Sequence, residues 1–198
     1  MKKYMEDTLK YYEDNSLIYS NTWQDLDFEI PNIFLSYLKD DSYILDLGCG
    51  IGRDSKIFID KGYKVKAIDG SLEMCKIARE VAGVETEQIN FLDIDYHDEF
   101  DGVFACASLL HLDNEDLIMV LKKVKESLKD KGILYACFKY GTYERYEERY
   151  FNDMTEDKFK DIMKQVEGFK FIKSWISEQY RIHKIFINFI LRKEGNYE

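Results

Sequence analysis

Tyr43-Ile44-Leu45-Asp46-Leu47-Gly48-Cys49-Gly50-Ile51-Gly52-Arg53-Asp54-Ser55 is the stretch from which the fold can be read. A short apolar run ends in an acid and then a glycine-rich turn, the pattern of a buried strand feeding a loop where backbone must approach a ligand closely. The segment therefore reads as a nucleotide-type cofactor site.

Spacing narrows the cofactor. A dinucleotide site wants G-x-G-x-x-G/A, the third small residue letting the helix pack on the strand while its N-terminus faces a pyrophosphate. Counting from Gly48 puts Arg53 at that third position, and counting from Gly50 puts Ser55 there. What stands instead is Gly48-x-Gly50-x-Gly52, with Asp46 two residues upstream. That carboxylate repels an anion and attracts a ligand bearing an ammonium and a sulfonium, as S-adenosylmethionine does. A second run, Lys64-Val65-Lys66-Ala67-Ile68-Asp69, also ends in an acid. Asp69 lies about twenty residues past the glycine turn, where an acid meets ribose hydroxyls in a strand–helix–strand site. Its alternative role is to cap the helix starting near Ser71.

These residues carry a family resemblance. The glycine-turn segment, then Gly62-Tyr63-Lys64-Val65 and Ala67-Ile68-Asp69-Gly70-Ser71, resembles the class I S-adenosylmethionine-dependent methyltransferases. The Gly52-Arg53-Asp54 continuation is similar to the small bacterial, tellurite-resistance-type branch. Phe100-Asp101-Gly102-Val103-Phe104-Ala105-Cys106-Ala107-Ser108-Leu109-Leu110-His111-Leu112, Phe138-Lys139-Tyr140-Gly141 and Arg149-Tyr150-Phe151 fit it as well. The resemblance runs from about Tyr43 to near Arg192 and speaks to the cofactor rather than the acceptor. It implies cofactor contacts from Asp46, Gly48, Cys49, Gly50, Gly52 and Arg53 on the first loop, and from Asp69, Gly70, Ser71 and Met74 on the second. It also implies Asp93 accepting from the adenine amine, Ile94 covering the ring, and Ala107, Ser108 and Leu109 beside the sulfonium.

The acceptor side rests on less. His111 leaves the fourth strand next to that end and is either a general base or a brace hydrogen-bonded to backbone. Aromatics gather before the first strand (Tyr11, Tyr12, Tyr19, Trp23) and after the fifth (Tyr140, Tyr143, Tyr146, Tyr150, Phe151). Both segments are expected over the strand ends as a lid, with Tyr12, Tyr19, Tyr140, Arg149 and Tyr150 touching the acceptor. Glu144-Arg145-Tyr146-Glu147-Glu148-Arg149 has two readings, anion recognition by its arginines or ion pairs on an exposed helix.

Alternating strand and helix signals predict an α/β fold: a Rossmann-like, doubly wound seven-stranded sheet, mostly parallel, closed by a C-terminal antiparallel hairpin. Helices are expected at 4–14, 27–39, 53–61, 71–81, 114–129 and 155–166, and strands at 43–48, 64–69, 88–92, 101–107, 132–138, 169–177 and 183–192. A chain of 198 residues, 45% hydrophobic with one Pro, suits a single domain. It divides into a helical lid segment, 1–40, and a core, 41–198, with an insertion at 139–154.

A net charge of -10 disfavours nucleic acid as a partner. Cys49, Cys75, Cys106 and Cys137 lack metal or redox spacing and read as reduced core residues. Asp95, His97, Asp98 and Glu99 read as a solvated acidic loop, so no metal is expected. With no leader-like or membrane-length apolar run, the expectation is a cytoplasmic monomer or homodimer acting on a small molecule. Methylation of tRNA or protein is one rival reading; a non-catalytic module that senses S-adenosylmethionine is another.

Overall fold

The computed structural model describes residues 1–23, 29–179 and 184–195. Among the described residues nine strands and six α-helices follow in chain order: α1 (Lys3–Trp23), α2 (Glu29–Leu35), β1 (Tyr43–Leu47), α3 (Arg53–Asp60), β2 (Lys64–Asp69), α4 (Leu72–Ala82), β3 (Thr86–Gln88), β4 (Phe100–Ala105), α5 (Asn114–Ser127), β5 (Leu128–Lys139), β6 (Glu144–Tyr146), β7 (Tyr150–Asn152), α6 (Glu156–Val166), β8 (Phe169–Gln179) and β9 (Lys184–Lys193). Seven form one sheet in the order β3-β2-β1-β4-β5-β9-β8. The strands from β3 to β5 run parallel, and β9 is antiparallel to both β5 and β8. The strand order reverses between β1 and β4, which opens a crevice at their carboxyl ends.

Each face of this sheet is covered, as parallel strands require. On one side α5 and α6 bury Leu117, Val120, Leu121, Phe159 and Ile162 against Leu45, Val103, Leu134 and Phe189. On the other, Phe34 and Phe58 pack on Phe104, which stacks on Tyr135 with centroids 4.7 Å apart. Helix starts follow capping chemistry. Ser71 accepts from the Met74 N–H, Asp113 from Asp116 and Thr155 from Lys158.

Several boundaries differ from expectation for local reasons. The N-terminal helix runs on to Trp23, whereas the 27–39 helix is described only from Glu29 to Leu35, its first two residues lying outside the described range. His183, the first residue of the expected last strand, also lies outside it. The 88–92 strand becomes Thr86–Gln88, because pairing with β2 ends at Asp69↔Gln88. Asn90 then accepts from the Leu92 N–H and turns Phe91–Asp93 into a short 3-10 helix. The insertion is a β-hairpin, not a helix, with Arg145 paired to Phe151. Tyr143 and Tyr146 are exposed while Tyr150 is buried, so their helix-like spacing reflects no shared face.

Helix α1 is strapped across the strand ends at several points. Glu13 accepts from the backbone N–H groups of Leu72 (2.5 Å) and Glu73 (3.2 Å), placing a carboxylate at the start of α4. Thr8 accepts from the Tyr150 N–H at 3.1 Å, and Tyr146 donates to Asp7. Lys2 reaches Asp113, Glu115 and Asp116 at α5.

Candidate active site

The glycine turn does its work through backbone. Gly48 has φ +81°, and a Cβ there would lie 2.5 Å from that of Ser108, so β1 and β4 approach each other only because this position is bare. Gly52 serves packing instead: a Cβ would stand 3.1 Å from Cα of Ala78 on α4. It is thus the third small residue of the turn in function, but it faces the helix rather than the crevice.

Two confluent clefts fill the crevice. The first, about 700 Å³, is lined by Met5, Thr8 and Leu9 from α1, Gly48 and Gly50, Asp69, Gly70 and Met74, Asn90 and Phe91, and Ala107 and Ser108. The second, about 1660 Å³, continues past Asp46, Cys49, Arg53 and Asp54 to Tyr11, Tyr135, Lys139, Arg149, Phe151 and Phe186. Tyr12, Tyr19, Gly48, Gly50, Cys106, Ala107 and His111 line both and mark where they join. Ala107 there has φ +51°, a left-handed conformation uncommon for a residue with a Cβ. Its N–H donates to Cys137 Sγ, and Ser108 Oγ donates to the Leu47 carbonyl.

Asp69 stands at the end of β2 with both oxygens engaged. Oδ2 accepts from the Gly50 N–H and Oδ1 from Ser71, each at 2.9 Å. Two acceptor sites of the roughly four on a carboxylate are thereby used, and the rest remain for a ligand. The helix cap is a separate residue, Ser71 itself. Asp46 is buried and accepts from Ser55 Oγ at 2.5 Å. Burial, helped by the Asp54 charge, lifts its carboxyl to about 7.

His111 is held from two sides. Nδ1 lies 2.7 Å from the Tyr150 carbonyl, which only accepts, so Nδ1 carries the proton. Nε2 then accepts from the Tyr12 hydroxyl at 2.8 Å, while Arg149 Nη1 donates to that same hydroxyl at 3.1 Å. The result is a one-way chain of donors, Arg149 to Tyr12 to His111 to Tyr150. Burial depresses the imidazole to about 3, and the nearby Arg149 and Lys139 charges push the same way. His111 is neutral here, and Tyr12 covers its free nitrogen.

Of the residues singled out from sequence, Asp46, Gly48, Cys49, Gly50, Arg53, Asp69, Gly70, Met74, Ala107, Ser108, His111, Tyr12, Tyr19 and Arg149 line the joined clefts. Gly52, Ser71, Asp93, Ile94, Leu109, Tyr140 and Tyr150 do not. Asp93 is exposed and Ile94 is buried in the core, displaced when β3 ends early; Asn90 and Phe91 take that wall. Leu109 and Ser71 are fully buried, the one in the core and the other as a cap. Tyr140 is half exposed, and Tyr150 contributes its carbonyl to His111 while its hydroxyl donates to Glu144. Cys106, expected in the core, lines both clefts. The side chain of Trp23 lies outside the described set. His97 and the neighbouring acids are exposed.

Comparison with known proteins bears on family and fold. Residues 44–132 match the methyltransferase domain family. An uncharacterized methyltransferase of Staphylococcus carnosus is 29% identical over 135 residues, covering 64% of this chain and 65% of that protein. A putative methyltransferase of Bacillus subtilis is 35% identical over 132 residues, or 61% of this chain and 52% of that one. The chain thus spans less than two thirds of the length of these curated relatives. In fold it is similar to the 1,6-didemethyltoxoflavin-N1-methyltransferase of Burkholderia thailandensis, solved with bound 1,6-didemethyltoxoflavin and S-adenosylhomocysteine. The TM-score is 0.82 at 19% identity, with 98% of this chain and 90% of that one covered. Among the described residues no helix is long and apolar enough to cross a membrane.

Proposed function

We propose that the chain is an S-adenosylmethionine-dependent methyltransferase acting on a small-molecule acceptor. One observation carries the reading: Asp69, with acceptor capacity to spare, faces the first cleft at the switch point of a sheet whose glycine turn is preceded by buried Asp46. The methyltransferase-domain match over residues 44–132 supports it, as does the S-adenosylhomocysteine in the similar Burkholderia structure.

The residues present fit such a cofactor. Asp69 would accept the ribose hydroxyls, Asn90 and Phe91 would meet the adenine, and Asp46 would favour the cationic methionine end by Coulomb attraction. When bound, S-adenosylmethionine supplies an electrophilic methyl group on a positively charged sulfur. The chain's part is to align the acceptor and keep water away, which supplies most of the rate in an in-line displacement. Tyr12 Oη, its proton held by His111 Nε2 and its oxygen accepting from Arg149, would orient the acceptor, since the buried imidazole resists taking a proton. The open second cleft beside these groups favours catalysis over a sensing module. The tellurite-resistance-type branch, read from Gly52-Arg53-Asp54, and a reducing, cytoplasmic setting, supported by four free cysteines, belong to the same proposal.

Calorimetry tests it. S-adenosylhomocysteine should bind and NAD should not. Asp69→Ala should weaken binding roughly ten- to a hundredfold, the loss of about 1.5–3 kcal/mol of charge-assisted hydrogen bonding. Tight NAD binding with none for S-adenosylhomocysteine would refute the reading.

A further inference from the structure

We propose that the acceptor is an aromatic acid whose anionic group is held between Lys139 and Arg149 in the second cleft. This rests on the methyltransferase reading and adds the substrate class.

Some of the charges in the cleft are already balanced. Arg53 is engaged by Asp54 at 3.0 and 3.1 Å, and Arg145 by Asp153 at 2.7 Å. Lys139, Arg149 and Lys184 line the same cleft, and among the described residues none of them makes an ion pair. Lys184 is exposed to water, whereas Lys139 and Arg149 are part-buried, so those two charges repel each other with less screening. An arrangement of that kind persists where a ligand completes it.

Two of them gather around one ring. Lys139 Nζ sits 3.2 Å from the centroid of Phe151, and Arg149 Cζ lies 5.0 Å from the same centroid. Arg149 also stacks on Tyr11 at 4.1 Å and spends one N–H on Tyr12, leaving other guanidinium donors free. Burial first, then the neighbouring Arg145, Arg149 and Lys184 charges, bring the Lys139 amine down to about 8 against the opposing pull of Asp153.

The surrounding wall is aromatic: Tyr11, Tyr12, Tyr135, Phe151 and Phe186. Such a wall accepts a flat ring, and the two cations accept its acid. Asp69 lines only the first cleft and Lys139 and Arg149 only the second, so a cofactor held by Asp69 leaves the two cations to the acceptor.

The test is a ligand-observed NMR titration of the whole chain with benzoate, phenyl phosphate and benzamide, with and without saturating S-adenosylhomocysteine. At least one of the two anions should bind tenfold or more tightly than benzamide, and which one does so tells carboxylate from phosphate. The preference should fall below threefold in Lys139→Met and in Arg149→Met, and Lys139→Arg should keep it. Circular dichroism of each variant confirms folding. Equal binding of anions and benzamide, or a preference untouched by both methionine variants, would overturn the proposal. Should the anion preference appear while S-adenosylhomocysteine fails to bind, the anion site stands and the methyltransferase reading falls.

Discussion

At Tyr12 and His111 the direction of each hydrogen bond decides what the pair can do. A carbonyl fixes one imidazole proton, a phenol covers the other nitrogen, and burial keeps the ring neutral. The folded value near 3 lies below the ordinary 6.5, so the unfolded chain binds more protons between those limits. Stability contributed by neutral His111 is therefore full above about pH 6.5 and is lost as pH falls toward 3. The raised carboxyl of Asp46 works the opposite way, since the folded state takes up its proton below about 7. Comparing wild type with His111→Gln cancels the Asp46 effect. Urea unfolding should show the stability advantage of wild type shrinking by about 2 kcal/mol between pH 7 and pH 5; a constant difference would mean that His111 titrates normally. Turnover should correspondingly show no His111 limb near pH 6–7. At this scale, Asp46, Gly48, Gly50 and Asp69 were legible because strand, acid and glycine follow one another in sequence. Leu9 and Thr8 were not, since a helix that crosses from sixty residues upstream leaves no local mark. Asn90 and Phe91 were missed because a strand end was placed a few residues too late.

The element that most shapes the site is α1. Its Glu13 carboxylate sits on the first turn of α4 while Tyr12 reaches His111 and Thr8 reaches β7, so one helix joins both halves of the crevice. Glu13→Ala removes an acceptor from two backbone donors at a helix start, a loss of about 1 kcal/mol. Hydrogen exchange should quicken in α1 and at Leu72 and Glu73 while β1 and β4 keep their protection. Unchanged exchange in α1 would show that the strap is held by its other contacts alone. The sequence pointed to a helix here, but its full length was hidden because Asn15, Ser16, Ser20, Asn21 and Thr22 interrupt the apolar residues of 15–23. The hairpin of β6 and β7 was misread for a sharper reason. Tyr143, Tyr146 and Tyr150 recur at helical intervals, yet pairing with one another and docking on α1 override that pattern.

Across the whole molecule, the sheet was the part most fully written in sequence, because fully buried parallel strands appear as apolar runs and glycine and capping residues punctuate them. The last two strands, following each other without a helix, announced the antiparallel edge. What sequence could not convey was the meeting of charges inside the crevice, with Asp69 on the first cleft and Asp46, Lys139, Arg149 and Lys184 on the second, since these residues come together only through the strand order. The central claim is that this crevice holds an adenosyl cofactor by Asp69 and the Asn90–Phe91 wall. A crystal structure of the chain with S-adenosylhomocysteine tests it most directly. The account predicts both ribose hydroxyls on the Asp69 carboxylate, adenine beside Phe91, and the sulfur toward Tyr12 and Ala107. Adenosyl density away from Asp69, or adenine in the cleft of Lys139 and Arg149, would contradict it.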